Sequence, residues 1–228
     1  MENFLTVRGI RLHYLVQGKG TPVVLLHGLT SSIAMNWRLP GILEELAKEH
    51  QVIALDFPGH GSSDKPTQPA AYGMQMVDDV LALLDQVKVP KAHLVGYSMG
   101  GMVALKFLAR YPTRVLSGVL CGMGWLQEGS ALQRFWGRMP GHEGSNTPLA
   151  CPRSCGALAL TEKELKGIHV PLTAIVGEQD PVRRLYVEPL HRVRPDIPVI
   201  AIPGAGHINC IIQPQFHTAL ARSLRTTK

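Results

Sequence analysis

Val95-Gly96-Tyr97-Ser98-Met99-Gly100-Gly101 joins the end of an apolar run to the start of a helical pattern, and its reading decides the fold. The stretch is a G-x-S-x-G with a strand pattern before it and a helix pattern after it, the context that gives this otherwise common motif its meaning. A serine at so sharp a turn is forced into an unfavourable backbone conformation, and the flanking glycines leave room for the crowded strand and helix backbones. Its hydroxyl is pushed out of the sheet. The helix opening at Met99 aims free N–H groups and a positive dipole end at any oxyanion forming beside Ser98.

Outward from this turn, short apolar runs recur at Pro22 to Leu26, Val52 to Leu55, Ala92 to Val95, Val115 to Leu120, Leu172 to Val176 and Pro198 to Ile202. They read as strands buried on both faces. Helical patterns at Leu39 to His50, Met74 to Leu84, Met99 to Arg110 and Phe216 to Arg225 lie between or after them, which predicts βαβ alternation around a mostly parallel sheet. Arg11 to Val16 adds a strand near the edge.

The starts of the runs at 115 and 172 lie 57 residues apart, against 23 to 40 elsewhere. This stretch is rich in Gly and Pro and includes Gly141-His142-Glu143-Gly144-Ser145-Asn146-Thr147-Pro148, so it reads as an insertion over the sheet. The expected organisation is a core formed by 1–120 and 169–228, with a small cap or lid over 121–168. A capping box, Thr161-Glu162-Lys163-Glu164, opens a short helix within the cap.

Composition narrows the function. The 228 residues suit one α/β domain with an insertion, and 45% hydrophobic against 18% charged residues allows a large core. The net charge of +6 comes from 23 Lys and Arg scattered singly or in pairs such as Arg183-Arg184, a poor nucleic-acid surface. An apolar span of about 18 residues is missing, and the N-terminus lacks a basic region followed by an apolar one, so we expect no membrane partner and no signal peptide. Four scattered cysteines, Cys121, Cys151, Cys155 and Cys210, suit free thiols in a reducing, cytoplasmic compartment better than a disulfide framework.

The motif and its neighbours resemble the α/β-hydrolase superfamily, in an esterase- and lipase-like branch with a reduced cap. Three more segments carry the resemblance in order. Leu25-Leu26-His27-Gly28-Leu29 is similar to the loop after the third strand, and Asp56-Phe57-Pro58-Gly59-His60-Gly61-Ser62-Ser63 to the turn after the fourth. Gly204-Ala205-Gly206-His207 follows the last strand, where the family keeps its catalytic histidine.

A serine hydroxyl needs a base, and the base needs an orienting acid. Of ten histidines, His27 and His60 fall in the family's structural loop motifs and His13 and His93 in strand patterns. His50, His142, His169, His191 and His217 match no catalytic position, which leaves His207 as the expected base. Asp180 and Glu178, both in Gly177-Glu178-Gln179-Asp180-Pro181, compete for the acid role, with Asp56 third. The resemblance favours Asp180, directly before a proline, and Asp56 is expected to pin its own turn. The order Ser, Asp, His is the one this fold uses. The resemblance also implies an oxyanion hole from the backbone amides of Met99 and Leu29.

Trp37, Trp125 and Trp136 lie outside the strand patterns, and with Leu126, Phe135 and Met139 they suggest an apolar mouth or a seal between cap and core. We expect a relatively open pocket. The Cys151-x-x-x-Cys155 spacing has no second pair, so no metal is expected. Neither a G-x-G-x-x-G after a strand nor a Walker loop is present, so no cofactor is expected either.

The combined expectation is a cofactor-free carboxylesterase acting on a small ester with an apolar side, as a monomer or homodimer. The same triad also serves thioester, lactone, amide and carbon–carbon cleavage across this superfamily, and a receptor retaining the fold is the rival from another class. Ser98 argues against the branches that place an aspartate at that position.

Overall fold

A computed structural model describes residues 2–139 and 147–225. Gly141 to Asn146 of the Gly-rich stretch, with His142, therefore lie outside the described residues.

The apolar runs form strands β3 (Thr21–Leu26), β4 (His50–Leu55), β5 (Ala92–Tyr97), β6 (Val115–Cys121), β7 (Leu172–Gly177) and β8 (Val199–Ile202). With β1 (Glu2–Val7) and β2 (Ile10–Gln17) they make one sheet in the order β1-β2-β4-β3-β5-β6-β7-β8. All pairs from β4 to β8 are parallel, while β1 and β2 join antiparallel at one edge. This is the α/β-hydrolase fold. Because side chains alternate along a strand, Val24 and Leu26 enter one core while Val23 and Leu25 enter the other. The first core packs under α2 (Met74–Gln86) and α3 (Met99–Arg110); the second takes in Trp37 and Phe216 of α8 (Pro214–Arg225).

Two expectations need correction. The helix read over Leu39 to His50 is cut at Gly41, whose left-handed backbone (φ 78°) follows Pro40. What remains is α1 (Ile42–Leu46), preceded by a π-helical turn over Ala34–Arg38. Strand β1 was not expected; it pairs with β2 through a two-residue turn, Arg8-Gly9, with both residues at positive φ. Arg8 Nη2 donates to the buried Asp79 Oδ1 of α2 at 2.5 Å, tying this hairpin to the first core.

Between β6 and β7, in the stretch read as a cap, lie α4 (Ala131–Gly137), α5 (Ala150–Ser154) and α6 (Glu162–Lys166). The capping box opens α6 as expected, with Glu164 N donating to Thr161 Oγ1 and Thr161 N to Glu164 Oε2. Lys106 Nζ of α3 donates to Ala159 O and Glu164 Oε1, both at 3.0 Å, fastening this stretch to the sheet's helical layer. A further helix, α7 (Glu188–Val193), precedes β8. No described helix is long and apolar enough to cross a membrane.

Candidate active site

Strand β5 ends at Tyr97, and Ser98 takes φ 51°, ψ −117°, a conformation that costs a non-glycine residue on the order of 1–3 kcal/mol. The turn is held from below, where Ser98 N donates to Cys121 O of β6 at 2.8 Å, and from ahead, where Gly101 N donates to Ser98 O at 2.8 Å. Close approach explains the flanking glycines. A Cβ on Gly96 would lie 2.2 Å from Gly100 O, and one on Gly100 would lie 2.1 Å from Leu26 O.

The two other chain-distant residues meet Ser98 here. His207 Nε2 stands 3.0 Å from Ser98 Oγ, and His207 Nδ1 stands 2.7 Å from Asp180 Oδ2. A carboxylate can accept only, so Nδ1 carries the proton toward Asp180 and Nε2 is left with a lone pair facing the serine. Asp180 Oδ1 also accepts the Val182 amide at 2.9 Å, and the Asp180 carboxyl group has no exposed surface, while His207 keeps 30% of its side chain exposed. Glu178, the competing acid, is exposed and accepts the Gly204 amide at 3.1 Å. Asp56 pins its turn and more: it accepts Ile33 N at 2.8 Å and Ser62 N at 3.1 Å, and pairs with His13 Nδ1 at 2.7 Å.

The loop after β3 faces the same serine. Gly28 N donates to Asn36 Oδ1 at 2.8 Å, and Thr30 N to His60 Nε2 at 3.2 Å. Phe57 N donates to His27 Nε2 at 3.1 Å while His27 Nδ1 donates to Gly28 O at 2.8 Å. Each of these two imidazoles must accept at Nε2, so both are neutral. Burial is the main force that lowers the pKa of His27, and burial with the neighbouring His27 lowers that of His60 to about 3. Among the described residues, the amides of Leu29 and Met99 have no protein acceptor, and Met99 as first residue of α3 has no intrahelical one. These are the two amides expected to face an oxyanion.

The tryptophans divide. Trp37 is fully buried in the second core beside Ile33 and Leu43, so it offers no surface to a substrate, and the expectation that it lines a pocket is corrected. Trp125 and Trp136 are also nearly enclosed, with indole N–H groups donating to Leu160 O at 2.8 Å and to Tyr186 Oη at 3.1 Å. They seal the segment between β6 and β7 onto the first core. Phe135 remains 53% exposed.

Three residues at the site escaped the sequence reading. Asn36 holds the Gly28 amide, Tyr97 Oη donates to His207 O at 2.6 Å, and Gly122 (φ 55°) packs against the His207 ring. Tyr97 lies inside the serine motif and Asn36 follows the loop after β3, but their partners are set by the chain paths rather than by spacing. Among the described residues there is no cluster of three or more His, Cys, Asp or Glu side chains fit to hold a metal, and all four cysteines are buried free thiols.

Comparison with known proteins agrees with the fold. A sequence model described as alpha/beta hydrolase fold matches residues 21–158. The chain is 44% identical over 119 residues to the dihydrolipoyllysine-residue acetyltransferase component of the acetoin cleaving system of Pseudomonas putida, covering 51% of this chain and 31% of that one. It is 37% identical over 139 residues to 2-hydroxymuconate semialdehyde hydrolase of Pseudomonas sp. (strain CF600), covering 58% and 47%. The chain thus spans less than half the length of these two curated relatives. Among solved structures, the enol-lactonase from Burkholderia xenovorans LB400 superposes with a TM-score of 0.80 at 24% identity, over 98% of this chain and 100% of that one.

Proposed function

Because the chain belongs to the α/β-hydrolase family, we propose that it is a serine hydrolase of small carboxylic esters with an apolar acyl or alcohol part. The observation that carries the proposal is His207, which bridges Ser98 Oγ at 3.0 Å and Asp180 Oδ2 at 2.7 Å. In this reading residues 121–168 form the cap over a core made of 1–120 and 169–228.

Ser98 Oγ attacks the ester carbonyl carbon as its proton passes to His207 Nε2. The carbonyl oxygen, now negative, accepts from the amides of Leu29 and Met99, each worth about 10² to 10³ in rate. The tetrahedral intermediate collapses, the C–O bond to the alcohol breaks, and the alcohol leaves with the proton held on His207. A water then gives its proton to the same nitrogen and its oxygen to the acyl carbon. The acid departs, and Ser98 takes the proton back. Throughout, Asp180 fixes the imidazole tautomer and stabilises its charged form.

Treatment with a fluorophosphonate should place one adduct on the Ser98 peptide, and a p-nitrophenyl ester series of rising acyl length should be turned over. Ser98→Ala should abolish labelling, and His207→Ala should lower turnover by about 10⁴ to 10⁶ in a folded protein. An unlabelled folded wild type, or a Ser98→Ala protein of near-normal activity, overturns the reading. A second reading is cleavage of a bond other than an acyclic ester, carried by the 37% identity to a relative named for a semialdehyde substrate. Lactone and 2-hydroxymuconate semialdehyde substrates run beside the ester series separate the two.

A further inference from the structure

Tyr97 is the residue between the motif's first glycine and Ser98, and its side chain leaves β5 on the opposite face from α3, in the second core. Its ring lies 6.1 Å from the Phe216 ring and 5.9 Å from the His207 ring, centroid to centroid. It reaches His207 by passing Gly122, where a Cβ would sit 3.5 Å from Tyr97 Cζ and 3.4 Å from His207 Cε1. At the far end, Tyr97 Oη donates to the carbonyl oxygen of His207 at 2.6 Å, and the Ile211 amide lies beside the same hydroxyl. Burial raises the phenol's pKa, so it remains a donor at every working pH.

The surroundings give this bond weight. Gly206 N donates to Asn209 Oδ1, Cys210 N to Gly206 O, and Gln179 N to Ala205 O, all on residues flanking His207. Among the described residues, the bond from Tyr97 is the one that reaches His207's own main chain. The residue that follows, Ile208, is 85% exposed and adds no packing. The imidazole must satisfy two partners at once, and an error of about 1 Å in such an alignment costs about 10²-fold in rate.

We propose that Tyr97 is a positioning residue for His207: its hydroxyl holds the histidine's carbonyl and thereby keeps the imidazole on the line between Ser98 and Asp180. This rests on the serine-hydrolase reading above, and Tyr97 itself touches no reacting atom.

Tyr97→Phe removes the hydroxyl and keeps the ring. It should lower kcat and the fluorophosphonate labelling rate together, by about 10- to 100-fold, with KM unchanged. It should also move the acid limb of the kcat/KM profile to lower pH, because an imidazolium held less firmly against Asp180 gives up its proton more readily. Ser117→Ala, which breaks the buried bond to His93 at 2.7 Å near the other end of β5, is the control for lost stability alone and should move neither quantity. If Tyr97→Phe does not fold, 4-aminophenylalanine and 4-fluorophenylalanine at position 97 replace it; the first keeps a donor and should restore kcat, the second should not. A Tyr97→Phe protein with wild-type kcat and acid limb, or equal rates for the two synthetic residues, overturns the proposal. Wild-type protein that takes no fluorophosphonate label would instead overturn the hydrolase reading.

Discussion

The carboxamide oxygen of Asn36 accepts the Gly28 amide at 2.8 Å, which occupies the donor next to the one expected to face an oxyanion. The loop is thereby turned so that Leu29 N, rather than Gly28 N, is left without a protein acceptor. Asn36→Ala should release the Gly28 amide and let the loop rotate. We expect kcat to fall by up to about 10², the lower end for loss of an oxyanion donor, with a smaller change in KM. Steady-state kinetics with one p-nitrophenyl ester checks this, and an unchanged kcat would show that the loop holds its course without the side chain.

Asp180 and Glu178 stand two positions apart and do different things. Asp180 is buried against the His207 ring, whereas Glu178 is exposed and ties Gly204 N. Asp180→Asn should cost about 10⁴ in kcat by favouring the wrong tautomer. Glu178→Gln should leave kcat within a few-fold, since an amide oxygen can still accept from Gly204. The reverse ranking in parallel assays would exchange their roles.

At Gly122 the backbone is left-handed at φ 55°, and a Cβ there would sit 3.4 Å from His207 Cε1, so backbone strain and crowding of that ring can be told apart. Gly122→Ala should therefore lower the melting temperature modestly, because alanine is strained at this φ, and leave turnover within a few-fold, because the added methyl meets His207 and Tyr97 at ordinary contact distances of 3.4 and 3.5 Å. Thermal unfolding followed beside activity at a temperature well below the transition separates the two effects.

His60 makes stability depend on pH. The folded protein protonates this buried imidazole only at about 3, while the unfolded chain does so near 6.5. The unfolded state therefore binds the extra proton between these values, and stability falls as pH drops from 6.5 toward 3, by about 1.4 kcal/mol per unit at most. Asp79 acts with the opposite sign: burial raises its carboxyl to about 6, so its contribution is present below 3.8 and is lost as pH rises through 6. The wild-type curve mixes both. Urea midpoints of wild type and His60→Gln, compared from pH 7 down to pH 4, isolate the imidazole, and the variant should show the shallower decline.

Trp136→Phe keeps most of the buried area and deletes the 3.1 Å bond to Tyr186 Oη. The expected loss is about 1 kcal/mol of stability. A change in acyl-length preference with no loss of stability would instead mark this indole as a wall of the pocket.

The parts of the fold visible in the sequence were those written in local chemistry. The apolar runs of β3 to β8 announce themselves because both faces are buried, and the G-x-S-x-G turn because only glycine fits at 96 and 100. Strand β1 was missed because its turn is Arg8-Gly9, without the Asn or Asp that usually marks a two-residue hairpin. The start of α4 did carry a local sign, since Ser130 Oγ accepts from Gln133 N in an S-x-x-Q pattern. For the site, the motif pointed to Ser98 and the family resemblance to His207 and, over Glu178, to Asp180, and the fold brings these three within hydrogen-bond reach, but Asn36, Tyr97 and Gly122 depend on how the chain segments cross. Tyr97 and His207 are 110 positions apart, a relationship that spacing in a single chain does not encode.

The crossing of backbones at glycines 96 and 100 has a practical side. That joint leaves no mutational latitude, so attempts to retune selectivity belong elsewhere. Met35, Leu39 and Ile208 are 57%, 81% and 85% exposed; Met35 and Ile208 adjoin Asn36 and His207 in the chain, and Leu39 lies three positions after Asn36. A randomised library confined to these three would redesign the approach to the serine while leaving its scaffold untouched.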